Sequence, residues 1–142
     1  MSQIHQLSLL LYSNSRLLVQ LIQKELNGLN LTYPQFLVLS VLWEVDGLKV
    51  NEIGKLLYLD SGTLTPLLKK LEAMNYVKRQ RSETDERTVH IELTYPGKSL
   101  QSKAGQVINS LNEKFVDNSE SSLTDLNRSL EVLLARINHL KV

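Results

Sequence analysis

Between Val50 and Leu93 the chain sets two short apolar-periodic segments in quick succession, then two β-like runs about a charged loop. Few small folds accommodate that order. Residues 50–58 place Val50, Ile53, Leu56 and Leu57 on one side, and Tyr58-Leu59-Asp60-Ser61-Gly62 makes a break. A second segment runs to about Asn75 with Leu64, Leu67, Leu68, Leu71 and Met74 inward. Thr63, Thr65, Pro66, Lys69 and Lys70 are left outward by the same 3.6-residue period. Asp60 or Thr63 caps this second helix; capping by Asp60 sets Pro66 in the second turn at the cost of a hydrogen bond. Tyr76–Arg81 and Thr88–Leu93 read as strands, the latter alternating Val89, Ile91 and Leu93 with His90 and Glu92. Ser82–Arg87 joins them as a hairpin loop.

Long helical segments flank this centre. From Gln3 to about Asn27 the apolar positions Ile4, Leu7, Leu11, Leu18, Leu21 and Ile22 follow one helical face, with Leu9, Leu10 and Leu17 off it. A helix apolar on more than one side suits burial between two bodies, and Gly28 is its expected stop. Thr32-Tyr33-Pro34-Gln35 has the form of a capping box with Pro in the first turn. The helix it opens is apolar nearly all round from Phe36 to Trp43, so it is central to the core, and Asp46-Gly47 ends it. Thr94-Tyr95-Pro96-Gly97 opens another helix, carrying Leu100, Ala104, Val107, Ile108, Leu111 and Phe115 on its face. After a polar break at Ser119–Ser122, Ser122 with Asp125 signals a last start. Leu123, Leu126, Leu130, Leu133, Ile137 and Leu140 then alternate steps of three and four, an a/d seam too short for a lone coiled coil. Both chain ends together predict a helical dimerisation base, with purely intramolecular packing as the alternative.

Length and chemistry bound the rest. At 142 residues the chain is one domain long and needs no staple to fold. It has no cysteine, which excludes disulfides, thiolate metal sites and cysteine nucleophiles. There is no 18-residue apolar run and no signal-peptide pattern, so the expectation is a soluble, cytoplasmic protein without membrane partners. His5, His90 and His139 lack ligand spacing and read as surface or cap residues; no metal, cofactor or catalytic residue is expected. Asp85 and Glu86 beside Arg87 are better explained by charge pairing than by acid–base catalysis. An enzyme is not expected.

The net charge of +1 is uninformative, but its distribution is not. Residues 1–48 hold Arg16 and Lys24 against three acids, whereas Lys69, Lys70, Lys78, Arg79 and Arg81 crowd a 13-residue span against Glu72 alone. Such a patch is the footprint of a phosphate-binding face, or else a solvated surface run. The order of elements favours a winged helix-turn-helix: mainly α, with a small β-wing. In such proteins the second helix enters the major groove and a ribbon arginine reaches the narrow, electronegative minor groove.

Leu31-Thr-Tyr-Pro-Gln-Phe36, Asp60-Ser-Gly-Thr-Leu-Thr-Pro-Leu-Leu-Lys-Lys-Leu-Glu72 and Arg81-Ser-Glu-Thr-Asp-Glu-Arg87 closely resemble the MarR family of transcription regulators, in particular its OhrR, MgrA and SarZ branch. The resemblance covers about residues 3–100 in motif and order; the last 40 match only as dimerising helices. It implies a homodimeric winged-helix repressor or activator of pseudo-palindromic promoter DNA, a repressor in an oxidative-stress or virulence and biofilm-type response being the favoured form. Residues 1–30 and 96–142 would dimerise and 31–95 would bind DNA, within a single domain. By the same resemblance Ser61, Thr63, Thr65 and Lys69 face the groove, Asp60 caps the recognition helix and Lys70 lies near phosphate. Arg79 and Arg81 hold phosphate at the wing base, Arg87 enters the minor groove, and Asp85 orients it. The branch senses oxidation through a first-helix cysteine supported by tyrosines. That position is Ser8 here; Tyr12 and Tyr33 match two of the tyrosines and a third falls at Ile22. The alternatives are a winged-helix module that engages protein, and a ligand-responsive regulator without redox sensing.

Overall fold

The computed structural model describes residues 1–85, 87–115 and 121–141. It falls into two compact units, 1–108 and 109–142.

In the first unit, helix α1 (Gln3–Leu26) starts at Ser2, whose hydroxyl accepts the His5 N–H at 3.2 Å. A single 3-10 turn, Asn27–Leu29, follows, and the reversal is made by left-handed Asn30, not by Gly28. Helix α2 (Tyr33–Glu44) has the predicted capping box: Thr32 Oγ1 accepts the Gln35 N–H and Gln35 Oε1 accepts the Thr32 N–H, at 3.3 and 3.0 Å. It is the core helix, with Val38, Leu39 and Leu42 fully buried.

Strand β1 (Leu48–Lys49) leads into α3 (Val50–Leu57) and α4 (Ser61–Ala73). The turn between these helices is tight: Leu59 N–H donates to Gly54 O, Tyr58 takes the left-handed conformation, and a Cβ at Gly54 would stand 2.8 Å from Leu59 O. Only glycine leaves room for that approach. Asp60 is the cap of α4, so Pro66 lies inside the helix and withdraws one N–H from its ladder. Leu64, Leu68 and Leu71 face inward, as their spacing predicts, and meet Ile53, Val77 and Ile91 in one apolar cluster with α2.

Strands β2 (Val77–Arg81) and β3 (Val89–Leu93) form the wing. The sequence predicts a two-stranded ribbon; β1 adds a third strand, in the order β1-β3-β2, all antiparallel. A two-residue strand has no alternation to betray it.

Helix α5 (Tyr95–Phe115) begins in the first unit, where Trp43 Nε1 donates to Gly97 O at 2.9 Å. Helix α6 (Ser121–Leu140) makes up most of the second unit. The expected break at Ser119–Ser122 lies partly outside the described residues, and Ser122 falls within α6 itself, not at its cap. Along α6 the seam residues Leu126, Leu130, Ile137 and Leu140 are exposed, as are Ile4, Leu9, Leu10, Leu17, Leu18 and Leu21 of α1.

Candidate nucleic-acid interface

Helix α4 presents its start to solvent. Asp60 Oδ1 accepts the Thr63 N–H at 2.8 Å, and that backbone hydrogen bond, assisted by the Thr63 hydroxyl, holds the carboxyl below the usual carboxylate range. Asp60 is therefore ionised and suited to the positive end of the helix dipole. Ser61 and Thr63 are exposed, Thr65 is half-buried, and Lys69 and Lys70 are exposed further along. Short hydroxyl side chains at this end let backbone approach a groove closely, while the two lysines supply mobile positive charge.

The wing continues the basic surface. Lys78, Arg79, Gln80 and Arg81 of β2 are all exposed. Lys78 Nζ lies 3.5 Å from Glu92 Oε2, and Arg79 Nε lies 3.9 Å from Glu72 Oε2. The Glu72–Arg79 pair joins the end of α4 to the first wing strand. The loop closes through Ser82 N–H to Thr88 O at 2.9 Å. Asp85 organises it by a different route from guanidinium pairing: Oδ1 accepts the backbone N–H of Arg87 at 3.0 Å and Oδ2 accepts the Thr88 hydroxyl at 3.1 Å. The Arg87 side chain is exposed at the tip. The pairing expected of Glu86 lies outside the described residues.

Asp46 and His90, expected as a helix end and a surface or cap histidine, root the wing. Asp46 Oδ1 accepts the Leu93 N–H at 2.8 Å, and His90 Nδ1 lies 3.0 Å from Gly47 O. His90 is thus half-buried and tied to backbone, where a surface or cap histidine is expected. No local pattern announces either contact, since the partners are 47 and 43 residues apart.

Of the sensor-like residues, Ser8 and Tyr12 lie one turn apart on α1 and Tyr33 opens α2. Ser8 is exposed on α1 and its hydroxyl donates to His5 O at 2.8 Å. One turn on, Tyr12 is exposed and carries the Arg16 guanidinium 5.5 Å over its ring. Tyr33 is half-buried at the start of α2, its ring 6.4 Å from that of Phe36, and burial raises its phenol above the ordinary value. Its backbone is anchored to α1 instead, by its N–H to Gln23 Oε1 at 2.8 Å, while Gln23 Nε2 donates to Leu31 O. A hollow of about 200 Å³ lies between α2 and α5, lined by Phe36, Trp43, Gln101, Ala104, Gly105 and Ile108. Among the described residues no group of His, Asp and Glu could hold a metal ion, and no helix is long and apolar enough to cross a membrane.

Residues 20–104 match the family model described as transcriptional regulator SarA/Rot. The organic hydroperoxide resistance transcriptional regulator of Bacillus subtilis is 50% identical over 100 residues, covering 70% of this chain and 68% of the relative. The transcriptional regulator SarZ of Staphylococcus epidermidis is 40% identical over 110 residues, 78% of this chain and 74% of the relative. Among solved structures, reduced AbfR bound to DNA superposes with a TM-score of 0.88 at 35% identity, covering 98% of this chain and 94% of that one. AbfR is a Staphylococcus epidermidis protein.

Proposed function

Since the chain belongs to the SarA/Rot-type transcriptional regulators, MarR-family winged-helix proteins of the OhrR/SarZ branch, we propose that it is a cytoplasmic homodimeric repressor that binds pseudo-palindromic promoter DNA in an oxidative-stress or virulence-type response. What carries this reading is the surface of α4 and the wing: a capped, hydroxyl-bearing helix start beside exposed Lys69, Lys70, Arg79, Arg81 and Arg87. Ser61, Thr63, Thr65 and Lys69 meet base edges or nearby phosphates, Lys70, Arg79 and Arg81 hold backbone phosphate, and Arg87 enters the minor groove. Asp85 acts by shaping the loop that presents Arg87, through the backbone N–H it accepts.

Dimerisation by residues 1–30 and 96–142 is supported by the exposed leucines of α1 and α6; so many large apolar side chains facing water mark a partner surface. In the dimer the two α4 helices stand roughly 34 Å apart, one turn of DNA. With Ser8 in the sensor position and no cysteine in the chain, DNA release does not proceed by thiol oxidation.

The decisive experiment selects bound duplexes from random DNA and measures their affinity over a salt series, with sedimentation to fix the oligomer. Dimers bound to two half-sites about 10 base pairs apart are expected, with a steep salt dependence of about −0.9 in log slope per phosphate contact. Thr65→Ala should then alter preference among half-site bases. Lys70→Ala should weaken all duplexes evenly, and Arg87→Ala should weaken most those with A·T-rich outer segments. A monomer binding tightly, or affinity indifferent to salt, overturns the proposal.

A further inference from the structure

Strand β1 stops where its own register would carry it further. Leu48 pairs with Ile91 and Lys49 with His90, so continuation would set Asp46 opposite Leu93. Gly47, at φ +75°, turns the chain away before that happens. Two contacts replace the missing backbone pairs on this edge of β3. Asp46 Oδ1 accepts the Leu93 N–H at 2.8 Å together with the Gly47 N–H at 2.9 Å, and the His90 ring meets Gly47 O. Leu93 is buried, so without Asp46 its N–H would lose its partner in an apolar setting, a costly arrangement.

The opposite edge of β3 is paired with β2 along its whole length, from Val77 with Leu93 to Arg81 with Val89. Thr94 adds to that side, its N–H donating to Tyr76 O and its hydroxyl to Asn75 O. Those bonds make the hairpin one piece, but they leave its direction relative to α2 open. Asp46 and His90 supply the attachment to the end of α2, at positions 93 and 90 of the strand.

The geometry points to Asp46 as a positioning residue for the wing. Its carboxylate holds the root of β3 against the end of α2 and so sets the angle at which the hairpin carries Arg87 toward DNA outside the α4 half-site. This rests on the DNA-binding reading above. Asp46 itself touches no DNA in this scheme; its Oδ1 accepts from the Leu93 and Gly47 N–H groups.

The test compares the unaltered chain with Asp46→Ala and Asp46→Asn on two probes. One is a duplex selected from random DNA by the unaltered chain; the other is the same duplex with its outer segments changed from A·T to G·C. The expected result is that Asp46→Ala brings the affinity ratio between the two duplexes down toward one while leaving discrimination among half-site bases intact. Asp46→Asn, whose amide oxygen still accepts from Leu93, should keep the original ratio. A merely destabilised protein would lower the active fraction on every duplex alike and leave the ratio unmoved. If Asp46→Ala does not fold, His90→Ala carries the same test, since it cuts the second tie and should lower the ratio too. An unchanged ratio in the alanine variant, or equal loss in the asparagine variant, overturns the positioning role alone. An unaltered chain that ignores its outer segments overturns the reading of the wing beneath it, and this inference with it.

Discussion

Arg79 Nε stands 3.9 Å from Glu72 Oε2, so the last turn of α4 and the first strand of the wing share a charge pair within the basic 69–81 span. Both side chains are partly exposed, at 34% and 45%, and a pair in such surroundings contributes about 0–1 kcal/mol. In the proposed complex Arg79 would exchange its carboxylate for a phosphate at little cost, leaving Glu72 as a negative charge beside the DNA backbone. Glu72→Gln should bind selected duplexes more tightly at low salt, with a log–log salt slope steeper by up to about 0.9 if one phosphate contact is gained. Anisotropy titrations over a potassium chloride series would measure both. Weaker binding by the variant would mean that Glu72 aims Arg79 rather than competing for it.

Acid should act on Asp60. The Thr63 N–H favours its charged form, so its pKa in the folded chain is depressed below the unfolded value. The stability it contributes is complete above the unfolded carboxylate pKa of about 4 and is lost as pH falls through the folded value. The Tm of the native chain should exceed that of Asp60→Asn at neutral pH, and the gap should narrow on acidification below about pH 4. Thermal melts by circular dichroism across that window provide the check; a constant gap would place the benefit elsewhere than in the charge.

Gly97 admits no side chain. A Cβ there would drive into the Tyr76 carbonyl, a backbone atom that cannot rotate aside, and Leu93 closes the space further. Gly97→Ala should destabilise the fold by about 1–3 kcal/mol, the usual range for overpacking. Because Gly97 O also accepts from the one tryptophan, Trp43, its displacement should be visible in indole emission. Urea melts followed by that fluorescence would expose the error if the variant were as stable as the native chain.

On the proposed reading, Ser8 stands where a thiol sensor would have its cysteine. A thiolate attacks a hydroperoxide oxygen and breaks the O–O bond, giving sulfenic acid and an alcohol, whereas a serine hydroxyl stays inert. With no cysteine in its 142 residues, the native chain should hold a selected duplex equally before and after organic hydroperoxide treatment. Ser8→Cys should form sulfenic acid, read by mass spectrometry, and release DNA on oxidation. Release by the native protein would refute its expected indifference to hydroperoxide. A variant that is oxidised yet stays bound would show that the exposed α1 position, with Ile22 where a third tyrosine is expected, is not coupled to α4.

The helices and their caps were legible because they are written within one or two turns. Thr32 with Gln35 and the apolar run from Phe36 announce α2, and the spacing of Leu64, Leu68 and Leu71 announces the buried side of α4. The surface that α4 shows followed from the same period, although the choice of Asp60 over Thr63 as cap waited for the backbone. The reversal after α1 and its 3-10 turn went to Asn30 because an amide side chain tolerates the left-handed conformation, so Gly28 was not required there.

Sequence alone determined most of what depends on neighbours three or four residues apart, namely six helices, two wing strands and a basic α4-to-β2 span, and its lack of cysteine excluded thiol chemistry. Tertiary structure alone decided what depends on approach between distant segments. The β1 strand exists because β3 offers it an edge, not because Leu48 and Lys49 prefer extension. Asp46 finds Leu93, His90 finds Gly47, and Gly97 presses on Tyr76 only after the α2, β3 and α5 segments have been brought together by burial of their leucines and isoleucines. The hydrophobic effect that assembles them is non-directional and leaves a periodic trace in sequence. The hydrogen bonds that then set their angles are directional and join single residues far apart, so they leave none.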